Sequence, residues 1–418
     1  MGLFAVWFES EGNLEVRENR LFFAGLEVSK LADDYGTPIY VYNLDEVSSN
    51  YKLVSAAFRE AGKPSVRIHY AMKANANTDI LKTLLKEGAY IDAVSPQEVK
   101  HALAVGFPKE KILFTGTSVS NADLLQLAGT GVTINIDSFS QMRRLAKMKV
   151  PNKKISIRWN PSEGAGLHEH VITAGKYIKF GIPEKMVLMA FQEARALGFE
   201  VIGLHQHIGS GWLGKAVDTF LKTVGKTLDV AKKAEQILGR KLEFVDFGGG
   251  PGIPYSGKDK EFPFGRYARG IVSAFKKSGL SCEIAVEPGR SIVGNAGILL
   301  AQVNTVEEKN VPVIGVDAGF NDLVRPTMYG AFHEIVLCEN VGGKTRKKFL
   351  VAGNLCESGD VFNTSKKELR ELPAPKEGEH IAILSAGAYG QSMASTYNMR
   401  PLPKEIVVSK GKARLSGK

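Results

Sequence analysis

His69-Tyr70-Ala71-Met72-Lys73-Ala74-Asn75-Ala76-Asn77 joins two kinds of sequence. Before it, Ser65 to Ala71 reads as a short strand. After it, Thr78 to Glu87 carries Ile80, Leu81, Leu84 and Leu85 at helical spacing, with Asn77 or Thr78 as the cap. Lys73 is thus expected at the C-terminal end of a strand that feeds a helix, the place where α/β folds build their sites. A lysine held there, partly out of water, can lose its proton and form a Schiff base with a carbonyl compound. Taken alone it reads first as a solvated loop lysine, so the rest of the chain must decide.

Working outward, the strand-then-helix rhythm repeats. Strands are expected at 66–71, 90–94, 112–115, 132–136, 155–159, 201–206, 243–247 and 283–287, with helices at 78–87, 96–105, 120–128, 138–146, 184–197, 215–238 and 264–278. Ile39 to Tyr42 reads as one more strand and Leu44 to Ala61 as a helix. Eight such units point to an α/β fold, a (β/α)8 TIM-like barrel. An open doubly wound sheet is disfavoured because its glycine fingerprint is missing from the first strand-to-helix turn. Beyond about residue 297 the helical spacing fades. Ile298 to Val303, Val311 to Val316, Lys348 to Val351, His380 to Leu384 and Glu405 to Val408 predict a C-terminal all-β domain. The N-terminal stretches Ala5 to Phe8, Leu14 to Val16 and Leu21 to Phe23 are expected to join it. The predicted domains are therefore 36–297 for the barrel, and 1–35 with 298–418 for the β domain.

Composition excludes several classes. With 418 residues, 44% hydrophobic and 23% charged, the chain can bury a large core. The net charge of +10 is diffuse. The basic runs Lys344 to Lys348 and Lys410 to Lys418 lack interleaved aromatics, so nucleic acid is not expected as a partner. No apolar run approaches the ~20 residues of a membrane span, and the apolar Met1 to Phe8 has no basic flank, so neither a membrane nor a signal peptide is expected. Three cysteines without a Cys-x-x-Cys pair suit a reducing, cytoplasmic setting.

Three further motifs carry chemistry. Gly248-Gly249-Gly250-Pro251-Gly252 follows a strand, and such a loop can turn several N–H groups onto a phosphate. Glu287-Pro288-Gly289-Arg290 follows the next strand; its carboxylate suits a protonated ring nitrogen and its guanidinium an anion. His205-Gln206-His207-Ile208-Gly209-Ser210 closes an earlier strand. Two histidines at i, i+2 could chelate a metal, but no third ligand is evident and no metal is expected. His207 fits as a flat ring against a cofactor with Ser210 near the phosphate, whereas His205 reads as a core histidine.

Lysine, glycine loop, carboxylate and imidazole together describe a pyridoxal 5'-phosphate (PLP) site: aldehyde, phosphate, ring nitrogen and ring face. Further motifs follow in order: Asp317 to Asp322 with Arg325-Pro326 and Tyr329, Cys356 to Phe362, Gly387 to Gly390, and Tyr397-Asn398. With these the chain resembles the fold-type III PLP decarboxylases (the alanine racemase-like barrel), most closely the diaminopimelate decarboxylases, from Gly36 to Pro401. The resemblance implies a role for each matched residue. Lys73 would be the Schiff-base lysine, with Asp92 and Arg158 near it and the cofactor. Ser210, Gly248, Gly249, Gly250, Gly289 and Tyr389 would hold the phosphate, His207 the ring, and Glu287 the ring nitrogen. Cys356 would give a proton to the product carbanion. Arg290, Arg325 and Tyr329, beside Tyr389, would grip the substrate's distal carboxylate, and Glu357 its ammonium. Cys356-Glu357 would reach into the partner subunit's site, so a homodimer is implied.

The implied reaction takes a small amino acid, meso-2,6-diaminopimelate, to L-lysine and CO2, the last step of lysine biosynthesis. Two arginines with a glutamate suit a tail bearing both carboxylate and ammonium, and would repel a tail with ammonium alone. The alternative on the same scaffold is decarboxylation of a carrier-linked glutamyl group or a siderophore precursor. Two departures from the family stand out: a His- and Gly-rich stretch at 163–170, read as a mobile loop, and a chain that stops at Lys418 where many relatives continue into a charged helix.

Overall fold

The computed structural model describes residues 8, 12–148, 150, 152–162, 173–175, 177–365 and 367–417. The stretch 163–170 and the predicted strand from Ala5, except Phe8, lie outside them. Eight parallel strands follow in chain order: β1 (Arg67–Ala71), β2 (Tyr90–Ala93), β3 (Ile112–Phe114), β4 (Thr133–Ile136), β5 (Lys154–Asn160), β6 (Glu200–His205), β7 (Phe244–Asp246) and β8 (Glu283–Val286). Each pairs with the next, and β8 pairs back onto β1 with Ala285 opposite Arg67, so the sheet closes into the expected barrel.

Alternation along the strands separates inside from outside. Leu113, Ile202, Phe244 and Ala285 form a small apolar cluster of their own, the lower filling of the barrel. Their chain neighbours Ile112, Val201, Val245 and Ile284 belong to the large core shared with the helices. Each such fully buried side chain contributes about 1.5–3 kcal/mol. Above the apolar layer the inward positions turn polar: His69, Asp92, Asn135, His205, Asp246 and Glu287 are all buried. Burying polar groups is costly unless they are bonded, so this layer marks the functional end of the barrel.

The outer ring is α1 (Leu44–Glu60), α2 (Thr78–Lys86), α3 (Pro96–Val105), α4 (Asn121–Thr130), α5 (Phe139–Lys147), α6 (Val187–Ala196), α7 (Val217–Leu238) and α8 (Phe264–Ser278). Asn77 caps α2, its side chain accepting from the N–H groups of Asp79 and Ile80. α1 comes before β1 yet packs against both α2 and α8. It fills the place that a helix after β8 would take, because only the single turn Arg290–Val293 follows β8 before the chain leaves the barrel.

That chain becomes the long strand Gly297–Glu308, the spine of the second domain. It pairs with Pro312–Val316, with His380–Ile383 and with Ile39–Asn43. The last pairing corrects the sequence reading, which placed Ile39 to Tyr42 in the barrel segment 36–297. The strand instead lies between Gly297–Glu308 and Lys404–Ser409. The N-terminal strands Leu14–Arg17, Arg20–Phe23 and Leu26–Glu27 form their own three-stranded sheet. They join the β domain by packing: Leu14, Leu21 and Phe23 share a core with Val41, Ile298, Val336 and Val408. Among the described residues no helix is long and apolar enough to cross a membrane.

Candidate active site

Lys73 stands in a single turn of 3-10 helix, Met72–Ala74, directly after β1. Two ties fix that turn. Asn75 Nδ2 donates to the Gly387 carbonyl at 3.0 Å, and Tyr389 N donates to the Ala74 carbonyl at 2.8 Å. Both partners belong to the loop after His380–Ile383, so the second domain holds the lysine's turn in place. Lys73 Nζ donates to Asp92 Oδ2 at 2.9 Å, and the fully buried Asp92 also accepts from Thr115 Oγ1. Burial pulls the Lys73 ammonium down, but the opposing charges, Asp92 first, outweigh it and raise its pKa. The site thus holds a lysine cation with a proton acceptor in contact. Its side chain, 34% exposed, faces a cavity of about 420 Å³ at the C-terminal mouth of the barrel. Thr115, Arg158, His207, Ser210 and Arg290 line it from the barrel, and Arg325, Tyr329, Tyr389 and Met393 from the β domain.

One end of the site is built for an anion. Gly248 has φ +74, and a Cβ there would lie 2.3 Å from the Gln206 carbonyl oxygen. At Gly250, φ +126, a Cβ would lie 2.5 Å from the Trp212 ring. Only glycine lets this backbone approach so closely. Gly249 N donates to His207 Nδ1 at 3.0 Å, which orients the imidazole and leaves its proton on Nε2. Burial, then the charges of Lys73 and Arg158, keep His207 neutral by pushing its pKa well below the usual value. Ser210, Gly249, Gly250, Gly289, Arg290 and Tyr389 share one recess. Among the described residues the buried Arg290 Nε has no hydrogen-bond partner. Tyr389 is held at φ 56, a left-handed conformation that costs of order 1–3 kcal/mol for a residue with a side chain.

Below the cavity floor lies Glu287, 3% exposed. His205 Nε2 donates to its Oε2 at 3.2 Å and lies 3.1 Å from Oε1, which is buried and makes no hydrogen bond among the described residues. Burial first, and then Asp92 and Asp246, push its carboxyl well above the usual range. Such a group awaits a cation or a basic nitrogen. Beside it, His69 Nδ1 bonds Asp246 Oδ2 at 2.9 Å. Ligand atoms of His69, Asp246 and Glu287 lie within 4.8 Å of one another. Arg158 lies 3.9 Å from Asp137 and 4.6 Å from the Phe180 ring centroid.

Two buried arginines line the same cavity. Arg290 Nη1 donates to Tyr255 Oη at 2.7 Å, and Arg325 Nη1 donates to His333 Nε2 at 2.6 Å. His333 Nδ1 in turn donates to the Leu384 carbonyl at 2.9 Å. Burial alone would raise the Tyr255 phenol, but Arg290 and Arg325 outweigh it and lower its pKa. Among the described residues neither arginine has a carboxylate within 4.0 Å. Two buried guanidiniums without a carboxylate form a receptor for one.

Most of the predicted site residues therefore converge on one cavity, and two do not. Cys356 and Glu357 lie in an exposed turn, with Cys356 N donating to Asn398 Oδ1 at 2.9 Å. Neither lines the Lys73 cavity. Exposed Met328, Tyr397 and Met399 lie in the segments bonded to that turn or next to them. The sequence reading missed Tyr255, His333 and Asn135, and took His205 for a packed core residue. Tyr255 closes the glycine loop's Pro251-Gly252-Ile253-Pro254-Tyr255 run, the one available signal.

The donor set fits PLP at three separate atoms: Glu287 Oε1 for a ring nitrogen and Arg290 Nε beside the glycine loop for an anion, neither hydrogen-bonded among the described residues, and Lys73 Nζ for a carbonyl. Comparison with known proteins agrees. The family of pyridoxal-dependent decarboxylases, pyridoxal binding domain, matches residues 44–294. The diaminopimelate decarboxylase of Methanothermobacter thermautotrophicus is 42% identical over 407 residues, 96% of this chain and 93% of that one. That of Aquifex aeolicus is 35% identical over 410 residues, covering 96% and 94%. Among solved structures, the diaminopimelate decarboxylase of M. jannaschii in co-complex with L-lysine aligns with a TM-score of 0.88 at 32% identity, over 97% of this chain and 95% of that one. The Helicobacter pylori enzyme complexed with L-lysine gives 0.83 at 34%, over 92% and 95%. The chain belongs to the diaminopimelate decarboxylases, a branch of the pyridoxal-dependent decarboxylases.

Proposed function

We propose that this protein decarboxylates meso-2,6-diaminopimelate to L-lysine and CO2 with PLP as cofactor, completing lysine biosynthesis. The observation that carries the substrate is the pair of buried arginines without carboxylates, Arg290 and Arg325, next to Tyr329 in the same cavity as Lys73. When bound, PLP supplies the electron sink for the charge left on the carbon that loses CO2.

The chain's own residues do the rest. Asp92 accepts from Lys73 Nζ at 2.9 Å and would hold that nitrogen where the cofactor's carbonyl carbon meets it. Ser210, the Gly248–Gly250 loop, Gly289 and Tyr389 would hold the phosphate, and His207 would serve the ring. Glu287 would accept from the ring nitrogen and keep it protonated. Arg158, held by Asp137 over Phe180, contributes positive charge near the cofactor. Arg290, Arg325 and Tyr329 bind the substrate's distal carboxylate. An ornithine- or lysine-like tail would leave both arginines unpaired, which such a site rejects strongly.

Cys356 as proton donor and Glu357 as partner of the distal ammonium need a second subunit. Their exposed turn, with Met328, Tyr397 and Met399 around it, is the face through which a homodimer would bring them to the partner's cavity. An exposed thiol in such a role suits a reducing cytoplasm. The test is turnover: meso-diaminopimelate beside L-lysine, L-ornithine, L-arginine and L-glutamate. Lysine and CO2 formed from diaminopimelate alone, and lost in Lys73→Ala, supports the reading. Turnover of another member of the panel, or of carrier-linked glutamate, overturns it.

A further inference from the structure

We infer that His205 is a positioning residue for the cofactor: Asn135 fixes its tautomer, its single N–H anchors the Glu287 carboxyl by a hydrogen bond to Oε2, and Oε1, which makes no hydrogen bond among the described residues, is left to meet the ring nitrogen. The inference rests on the reading above that PLP occupies this cavity with its ring nitrogen at Glu287.

The geometry runs through three strands of the barrel. On β5, Ser156 Oγ donates to Asn135 Oδ1 at 2.6 Å. This sets the amide of Asn135, on β4, with its oxygen toward the hydroxyl and its nitrogen toward the imidazole. Asn135 Nδ2 lies 3.1 Å from His205 Nδ1. An amide nitrogen only donates, so Nδ1 is a lone pair and the ring proton sits on Nε2. That N–H points at the Glu287 carboxyl: Nε2 lies 3.2 Å from Oε2, which accepts the hydrogen bond, and 3.1 Å from Oε1. All four residues are buried, and His205 and Asn135 are at most 1% exposed.

Two consequences follow for Glu287. The imidazole cannot take its proton, because Nε2 already carries one and Nδ1 is blocked by a donor. Among the described residues Oε1 makes no hydrogen bond, so it is the oxygen open to a ring nitrogen. The other charged groups nearby are already engaged. Asp246 on β7 accepts from His69 on β1 at 2.9 Å and from Gly248 N at 2.9 Å. Asp92 on β2 is bonded to Lys73 and Thr115. Arg158 on β5 faces Asp137. Burial favours the neutral imidazole as well, holding His205 down to about 4. A histidine that merely filled space would need neither the Ser156–Asn135 arm nor an N–H aimed at a carboxyl.

The test compares His205→Leu, His205→Gln and Asn135→Leu with wild type, by absorbance titration with PLP, by thermal melting, and by steady-state kinetics on meso-diaminopimelate. A glutamine amide carries an N–H at the reach of Nε2, so it can replace the bond to Glu287; leucine cannot. The expected result is a roughly tenfold to hundredfold weaker PLP affinity in His205→Leu, the usual effect of losing a hydrogen bond to a charged group. His205→Gln recovers most of it, and Asn135→Leu falls between. In His205→Leu, kcat falls while KM, set at the arginine end, stays within about twofold. His205→Gln binding as weakly as His205→Leu, with both melting like wild type, overturns the inference. A wild-type protein that takes up no PLP overturns the reading of the cavity and the relay with it. Normal uptake by wild type and by His205→Leu alike overturns the relay alone.

Discussion

Replacing Arg325 with methionine separates a substrate receptor from a structural ion pair. Arg325 is 5% exposed, and its guanidinium bonds a neutral acceptor, His333 Nε2, and lies 4.9 Å from the Tyr255 ring centroid. Burial and the neighbouring arginines hold His333 neutral, far below its usual pKa. With no carboxylate beside it among the described residues, the buried charge is a net cost to the free protein, of order several kcal/mol before the His333 and Tyr255 contacts offset part of it. Methionine fills similar space without charge, so the substrate-free melting temperature should hold or rise. Activity should move the other way. A carboxylate held by two guanidinium hydrogen bonds at about 1.5–3 kcal/mol each gains about 3–6 kcal/mol. At about 1.4 kcal/mol per tenfold, kcat/KM for meso-diaminopimelate should fall by about 10²–10⁴. Most of the loss belongs in KM, because the contact is remote from the reacting carbon. Inhibition by L-lysine, which keeps that carboxylate, should weaken in parallel. Calorimetry with steady-state kinetics reads both effects. A variant that melts more than about 2 kcal/mol less stable, or keeps kcat/KM within tenfold of wild type, would refute the argument.

Three further outcomes are expected. Lys73→Ala and Cys356→Ala, each inactive alone, should recover about a quarter of wild-type activity when mixed and allowed to exchange subunits, because mixed dimers carry one intact shared site; no recovery refutes sharing. Tyr255→Phe removes the hydroxyl that accepts from Arg290 and should raise KM for meso-diaminopimelate by about tenfold with PLP uptake unchanged; unchanged KM removes Tyr255 from the site. Asp322 is pushed up to about 7 by burial, with Asp317 and Asp360 adding to it. Between the unfolded value near 4 and about 7 the folded chain holds a proton that the unfolded chain does not, so stability falls as pH rises, by roughly 1.4 kcal/mol per unit. Asp322→Asn should flatten that slope in melting curves between pH 4.5 and about 7; an unchanged slope assigns it elsewhere.

The barrel was legible because apolar strand candidates and helical spacing recur in turn along the chain, and the structure sorts the strand positions by face. Ile112 and Phe114 face the helices while Leu113 faces inward, and the same contrast recurs at Val245 between Phe244 and Asp246. Ile39–Asn43 was misplaced for a physical reason. It is buried along its whole length, so it reads like any barrel strand, and periodicity carries no information on which sheet completes its hydrogen bonds. The site was legible where chemistry sits in contiguous motifs, as in Gly248-Gly249-Gly250 and Glu287-Pro288-Gly289-Arg290. It was not legible where function comes from partners far apart in sequence. Nothing near His333 marks it as the acceptor for Arg325. His205 is separated from Asn135 by 70 positions and from Glu287 by 82. A lone histidine on an apolar strand is indistinguishable from a packed one until those atoms are brought together.

The central claim is that the fold is arranged around Lys73 as the attachment point for PLP. The direct measurement is to load the protein with PLP, reduce it with borohydride, digest it and locate the added mass by peptide sequencing. The account predicts the label on the peptide containing Lys73, in near-stoichiometric amount, and its disappearance in Lys73→Ala. A label on another lysine, or none while PLP stays bound, would contradict it.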